Sequence, residues 1–437
     1  MPAPAAPSKP PGRGEPQPSR RSLLGLDGLN FLMADVRDGL GPYLSVFLKG
    51  SQHWQPGHIG IAMAASSVAA AIFQIPAGLL VDSLRAKRLL VAGSGLGVAV
   101  GCLLIVFFPT FASVIVAQVV IGAAAAVIPL ALAALSLGLV GKRALDARVS
   151  RNEGFNHGGN FFAALLAGTL GQRFGYSYIF YLVCAFAAAS AAVVNLINSR
   201  EIDHELARGG GADDEDHADA TDANPRPLAW RDLLRRRDLM IFLASVVLFH
   251  FGNAAMLPMA GQVLAKTHPG SDTLALSACI VAAQLVMVGV AWAVGRAMAR
   301  GVGRKTIFLV ALATLPVRGV LFSFTSNPVG VVAIQLLDGV AAGVFGVISV
   351  VIAADLMRGT GRFNLAQGLV ALAIGLGAGL SNVVAGYIVQ AFGYPAGFLS
   401  LAALAAGALV FFALLMPETR ERAEKDNDGG APAPAAS

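Results

Sequence analysis

The stretch LDGLNFLMADVRDGLGPYLSVFL, residues 26–48, decides how the chain is read: it is long enough to cross a bilayer, yet it carries Asp35, Arg37 and Asp38 at its middle. A membrane-spanning helix needs about 20 predominantly apolar residues. A charge at that depth costs roughly 3 kcal/mol on insertion scales, so it persists only where it faces protein or a wet cavity. The stretch is therefore expected to be a membrane helix that lines a pathway.

Eleven more apolar stretches follow at near-regular spacing. With the first, they predict spans near Leu26 to Leu48, Ile59 to Val81, Leu89 to Phe108, Ser113 to Leu139, Phe155 to Leu170 and Tyr176 to Ile197. A second six is expected near Met240 to Val263, Leu274 to Met298, Thr306 to Phe324, Val329 to Ala354, Asn364 to Phe392 and Ala396 to Leu415. The composition agrees, with 56% hydrophobic and 13% charged residues, against about 25% charged in soluble domains. The expected class is an all-α polytopic membrane protein with twelve transmembrane helices.

Residues 1–22 read as a disordered tail rich in Pro, Ala and Gly, without the apolar core of a secretory signal. Residues 23–197 and 239–416 form two six-helix bundles, 198–238 a solvated linker, and 417–437 a second tail. The linker acids Asp213, Asp214, Glu215 and Asp216 beside His217 offer metal-ligand chemistry without fixed geometry, so a solvated run is the stronger reading. Cys102, Cys184 and Cys279 sit singly inside apolar stretches and read as inert core residues.

The formal charge of +6 does not imply a nucleic-acid partner, because the basic residues occupy short loops between spans. One side collects Arg85, Lys87, Arg88, Lys142, Arg143, Arg148, Arg151, Arg296, Arg300, Arg304, Lys305, Arg358 and Arg362, and the other only Lys49, Arg173 and Lys266. The positive-inside rule then places both termini and the linker in the cytoplasm. No Gly-x-x-x-x-Gly-Lys-Ser/Thr run provides for a nucleotide-driven pump, and neither His-Glu-x-x-His nor Gly-x-Ser-x-Gly marks an intramembrane hydrolase. An enzyme is not expected.

The two halves repeat. Gly168, Gln172, Phe174, Gly175, Tyr176 and Phe180 recur in the same order and at identical spacing as Gly386, Gln390, Phe392, Gly393, Tyr394 and Phe398. Gln118 and Gly122 recur with their spacing kept as Gln335 and Gly339, and Pro42 recurs as Pro258 at nearly the same offset. An even number of spans returns the chain to the same side, so the repeats run parallel.

After the second stretch the chain reads Gly78, Asp82, Arg85, Lys87 and Arg88, and after the eighth Gly295, Arg300, Gly303, Arg304 and Lys305. The first run resembles the signature loop of the major facilitator superfamily, and the second resembles its degenerate copy, one residue longer and lacking the Asp. The resemblance covers residues 25 to 417. It implies alternating access by two rocking bundles, with a loop latch on the cytoplasmic side. Independently of that, Gly78 permits close helix approach, Asp82 can accept from a helix N-terminus or an Arg, and the basic cluster can anchor at headgroups or simply signal topology.

The resemblance further implies that spans one, four, seven and ten line a central cavity. Span one carries Asp35 and Asp38, span seven His250 and Asn253, and span ten Gln335 and Asp338, each pair at i, i+3 on one helix face. Gln118 adds a neutral donor and acceptor, and Gly39, Gly41, Pro42 and Pro258 let the backbone bend. The acids can exchange protons and couple a gradient to rocking, or Arg37 can neutralise one of them in a structural pair. His250 alone suits helix packing equally, and Arg318, in a span peripheral in that superfamily, reads as snorkelling or packing. Arg151, Glu153, Asn156, His157 and Asn160 read as a cytoplasmic gate network. Many antiporters of that superfamily place an Arg where this chain has Gln118 and a Gly-Pro in span five, where it has none.

The expectation is a monomeric secondary transporter in a bacterial inner membrane. It would move a small organic molecule, with efflux ahead of uptake and a transport-inactive receptor as the other class. A proton gradient would drive it without a cofactor. Reporter fusions after Arg420 are expected to read cytoplasmic; a periplasmic readout would overturn the orientation and the span count together.

Overall fold

The computed structural model describes residues 18–38, 40–141, 143–208, 235–358, 360 and 363–420, with the backbone alone of Arg37, Asp38, Asp146, Arg208 and Asn364. The linker acids and His217 lie outside the described residues, as do Gly39, Lys142 and Arg362. The side chains of Arg37 and Asp38 do so too. Among the described residues every regular element is helical.

The first span is split into α1 (Arg20–Asp38), α2 (Leu40–Val46) and a π-helical turn, Phe47–Ser51. Then come α3 (Pro56–Ser83), α4 (Lys87–Phe107), α5 (Phe111–Val140), α6 (Leu145–Phe174) and α7 (Ser177–Val193). The second half begins with α8 (Arg237–Asn253) and α9 (Met256–Thr267), which share span seven. It continues with α10 (Asp272–Ala299), α11 (Arg304–Ser323), α12 (Pro328–Met357), α13 (Phe363–Phe392) and α14 (Tyr394–Leu415). The two broken spans carry the repeated prolines. A proline ring crowds the carbonyl four residues back; α1 ends at Asp38, four before Pro42, and α8 ends just before Ala254, four before Pro258.

Among the described residues ten helices are long and apolar enough to cross a membrane, with α8 and α9 counted together. The first and fifth expected spans fall outside that ten. Both are helical, but α1 carries Asp27, Asp35 and Arg37, and the first turns of α6 carry Arg148, Arg151 and Glu153. The repeat is visible in backbone geometry. Gly175 and its counterpart Gly393 join α6 to α7 and α13 to α14 with φ of 96° and 86°, a region open to glycine.

The chain does not leave the first bundle at Asn198. Two 3-10 turns, Ser199–Glu201 and Leu206–Arg208, stay packed on α5 because Ile202 and Ala207 bury against Gly138 and the Asp203 amide donates to the Gly138 carbonyl at 2.8 Å. The Ser19 amide, with Ser22 and Ser19 hydroxyls, holds the Glu201 carboxyl below its usual range. Those bonds tie this segment to the start of α1.

The halves meet along two symmetric seams, α3 on α13 and α6 on α10. At the end away from the linker these seams are tight. A Cβ on Gly386 would lie 2.6 Å from the Pro56 carbonyl oxygen, and one on Gly60 would fall on the Asn382 carbonyl. Tyr176 donates to Asp272, Tyr43 bonds Ser277, Ser45 donates to the Pro258 carbonyl at 3.1 Å, and the Gly57 amide donates to Gln390 at 3.1 Å. At the linker end of the same four helices, Gly78, Gly368, Gly154 and Gly295 would meet nothing within 4 Å. The close approach expected of Gly78 is therefore absent in this conformation, because the seam opens before reaching it. Small residues let helix backbones touch, and here they do so at one end only.

Gly60→Ile should wedge the tight end apart. Spin labels at positions 49 and 266 are then expected to separate relative to the parent protein; an unchanged distance would show that the glycine seam does not set the closure.

Candidate functional site

Between the halves lies a cavity of about 200 Å³. The N-terminal half contributes Asp35, Tyr43 and Asn160, and the C-terminal half Gln284, Gln335 and Asp338. The break before Pro42 re-aims the chain so that Asp35 and Tyr43 face the same space from α1 and α2. Asp35 is 4% exposed, whereas the Asp338 side chain is 19% exposed and opens more to the cavity. Gln284 also receives His157 at 2.8 Å across the seam. Two carboxylates from opposite halves thus border one small volume, together with amides and a phenol.

Behind Asp338 sits Arg318, for which the sequence left packing and snorkelling both open. Arg318 is 1% exposed, and its guanidinium donates to Asp338 at 2.7 Å, to Gln335 at 2.9 Å and to Asn253. Gln335 in turn donates to Asp338 at 2.9 Å. Of the two readings the structure realises packing: α11 is peripheral, but a long side chain directed inward reaches the helices packed beside it, and snorkelling would have left these acceptors unpaired. The signal present in the sequence was a lone Arg at the depth of a lone Asp one span later.

His250 and Gln118 are not in the cavity. The His250 ring packs edge-on to Phe345 at 4.7 Å, and its Nδ1 donates to the Val246 carbonyl at 3.0 Å, so local helix packing engages it. Gln118 donates to the Ala62 carbonyl at 3.2 Å and faces α3. Its repeat partner Gln335 differs because the C-terminal half supplies an arginine. Arg37 and Asp38 are placed only as the last two residues of α1.

A second cavity of about 530 Å³ occupies the linker end of the N-terminal half, bordered by Asn30, Asp82, Pro129, Asn152, Glu153 and Asn156. Asp82 is exposed and makes no ion pair with a described residue. Arg85 is exposed too, while Lys87 is buried and donates to the Val81 carbonyl, and Arg88 donates to Asn195 at 3.0 Å. In the other half Gly295 faces open space, Arg304 pairs with Asp355 at 3.3 Å, and the Lys305 amide donates to Glu418 at 3.1 Å. Arg151 does not bridge the halves. It joins Arg148 on Asp27, with Arg151 Nη2 2.7 Å from that carboxylate, and Arg148 also donates to Asn152 at 2.6 Å. Asp27 escaped the sequence reading; the signal available was two arginines at i, i+3 in α6 and a further acid in α1.

The family model described as Major Facilitator Superfamily matches residues 27–317 and 293–437. The chain belongs to the Major Facilitator Superfamily. Two relatives, both described as uncharacterized MFS-type transporters of Mycobacterium tuberculosis, from strains CDC 1551 / Oshkosh and ATCC 25618 / H37Rv, are each 44% identical over 394 residues. Those alignments span 90% of this chain and 93% of each relative. Among solved structures, the nucleoside transporter NupG matches with TM-score 0.69 at 14% identity, over 91% of this chain and 99% of that one. The peptide transporter POT in complex with sulfate matches with TM-score 0.72 at 13% identity, over 91% and 94%. These similarities carry the fold, and this superfamily member is a multi-pass membrane protein.

Removing one partner of a buried ion pair leaves an uncompensated charge. Arg318→Met is therefore expected to cost about 3–5 kcal/mol of stability, and pairing it with Asp338→Leu should restore much of the loss. Thermal melting of the single and double variants checks this; a neutral single substitution would remove Arg318 from its organising role.

Proposed function

We propose that the protein is a secondary active transporter that moves a small organic molecule by alternating access, coupled to protons and running as efflux. The observation that carries this reading is the shared cavity: Asp35 and Asp338 stand on opposite halves and border the same volume. A rocking motion changes the separation of these halves, and with it the electrostatic cost of keeping both carboxylates ionised. One acid then takes up a proton in one state and gives it back in the other. Arg318 assists, because Asp338 can give up its bond to the guanidinium while Asn253 and Gln335 continue to hold it.

The excess of basic residues in the loops at the linker end favours a cytoplasmic placement of that end. The seam is sealed at the opposite end, and the 530 Å³ cavity lies at the linker end, a geometry suited to loading from the cytoplasm. Tyr43, Asn160 and Gln284 supply hydrogen bonds for a small polar group, and the apolar wall of Leu257, Ile280 and Met287 suits its hydrocarbon part.

Asp35→Asn, and Asp338→Asn combined with Arg318→Met so that no buried charge is left uncompensated, should each abolish accumulation driven by an imposed pH gradient in proteoliposomes while leaving exchange without a gradient measurable. Residual flux that still follows the gradient normally in both variants would sink the coupling assignment. Absence of counterflow in the parent protein would favour a receptor, and accumulation in the opposite direction would favour uptake.

A further inference from the structure

On α6 the asparagines Asn152, Asn156 and Asn160 recur every fourth residue, so they share one helix face and follow one another at about 6 Å along the axis. Packing fixes where that face points. A Cβ on Gly159 would fall on the Phe31 carbonyl, so α6 lies directly on α1 at that position, and Ala163, one turn on, is buried. The asparagine face is left to open space. Asn152 and Asn156 border the 530 Å³ cavity at the linker end, and Asn160 borders the 200 Å³ cavity between the halves. One turn of α6 separates the two.

These side chains differ in what they have left to offer. Asn152 is buried and already engaged, donating to Ser136 at 2.8 Å and accepting from Arg148 at 2.6 Å. Asn156 and Asn160 are half-buried, and neither makes a hydrogen bond to a described residue. Across the seam the Gln284 oxygen is taken by His157, which leaves its NH2 group for the cavity that Asn160 also borders. A half-buried carboxamide without a protein partner must find its hydrogen bonds in water or a ligand.

The charges along this path argue against an ionised cargo. Asp338 already has its counter-ion in Arg318 at 2.7 Å, and Asp35, 4% exposed, presents little surface. A cation would have to displace a guanidinium, and an anion would meet the two acids. Asp82 and Glu153 border the linker-end cavity but stand exposed, where water weakens their attraction.

We propose that Asn156 and Asn160 are successive binding subsites for an uncharged amide or hydroxyl group, which makes the cargo a neutral molecule with an apolar body. A carboxamide both donates and accepts, as does an amide or a hydroxyl, and the pairing holds whether or not the nearby acids are protonated. The polar group of the cargo exchanges Asn156 for Asn160 one turn deeper, where the Gln284 NH2 group adds a donor and Leu257, Ile280 and Met287 cover the apolar part. The inference rests on the central cavity being the transport site.

The test measures binding to the full-length protein by thermal melting with three probes of similar shape, benzamide, benzoate and benzylammonium. Benzamide is expected to raise the melting temperature of the parent protein most. Asn156→Leu and Asn160→Leu should each raise the concentration needed for half that shift about tenfold, the size of one lost hydrogen bond. Asn160→Asp should move the preference to benzylammonium, a change that a merely structural asparagine would not produce, and it keeps the test open if a leucine variant fails to fold. Equal shifts from the three probes, or none from benzamide, would overturn the neutral cargo; unchanged benzamide binding by Asn156→Leu would overturn the second subsite. Transport is read apart, by counterflow of labelled benzamide without a gradient: binding without counterflow would sink the transport reading and leave the subsites standing.

Discussion

A charge buried where no water reaches must find its counter-charge inside the protein, and that constraint organises both halves of this molecule. In the C-terminal half Arg318 gathers Asn253, Gln335 and Asp338 from two other spans, so spans seven, nine and ten are joined by one guanidinium. In the N-terminal half Asp27 is held by Arg148 and Arg151, which fastens span one to span five at the linker end. Among the described residues neither network crosses between the halves. Each bundle is therefore rigidified internally, while the seam between them relies on glycine contacts and single hydrogen bonds that can be broken and remade.

The duplication makes the difference between the halves legible. With Gln118 laid on Gln335, the positions that match Arg318 and Asp338 are Gly101 and Ile121, and a Cβ on Gly101 would lie 2.5 Å from the Ile121 side chain. The same helix contact is thus ionic in one repeat and a close apolar fit in the other. Gln118, lacking an arginine to meet, turns to a backbone carbonyl of α3. The cavity accordingly draws its carboxylates from unlike places, Asp35 from span one and Asp338 from span ten.

Asymmetry along the membrane normal has the same local origin. Glycines at one end of the two seams are met by backbone, and those at the other end by open space. Burial in the far-end loop, next to the Asp272 carboxylate, pushes the Tyr176 phenol up, so this tie persists as a neutral donor across the ordinary pH range. The closed end is therefore held by shape and by single hydrogen bonds, among them the phenol donated to the Asp272 carboxylate.

The linear pattern of residues was enough to establish the all-helical membrane class, the parallel repeat and the prolines at which two spans break, because hydrophobic length and steric exclusion at proline act locally along the chain. It also marked Asp35, Asn253, Gln335 and Asp338, since an acid or amide in hydrocarbon is conspicuous in any context. Packing in three dimensions was needed to bring Asp35 and Asp338 to one cavity, to turn His250 and Gln118 aside, and to make Arg318 and Asp27 organising charges. Those outcomes depend on which side chains long helices present to each other at a given depth, and a one-dimensional pattern records the face of a helix but not the partner that the face will meet.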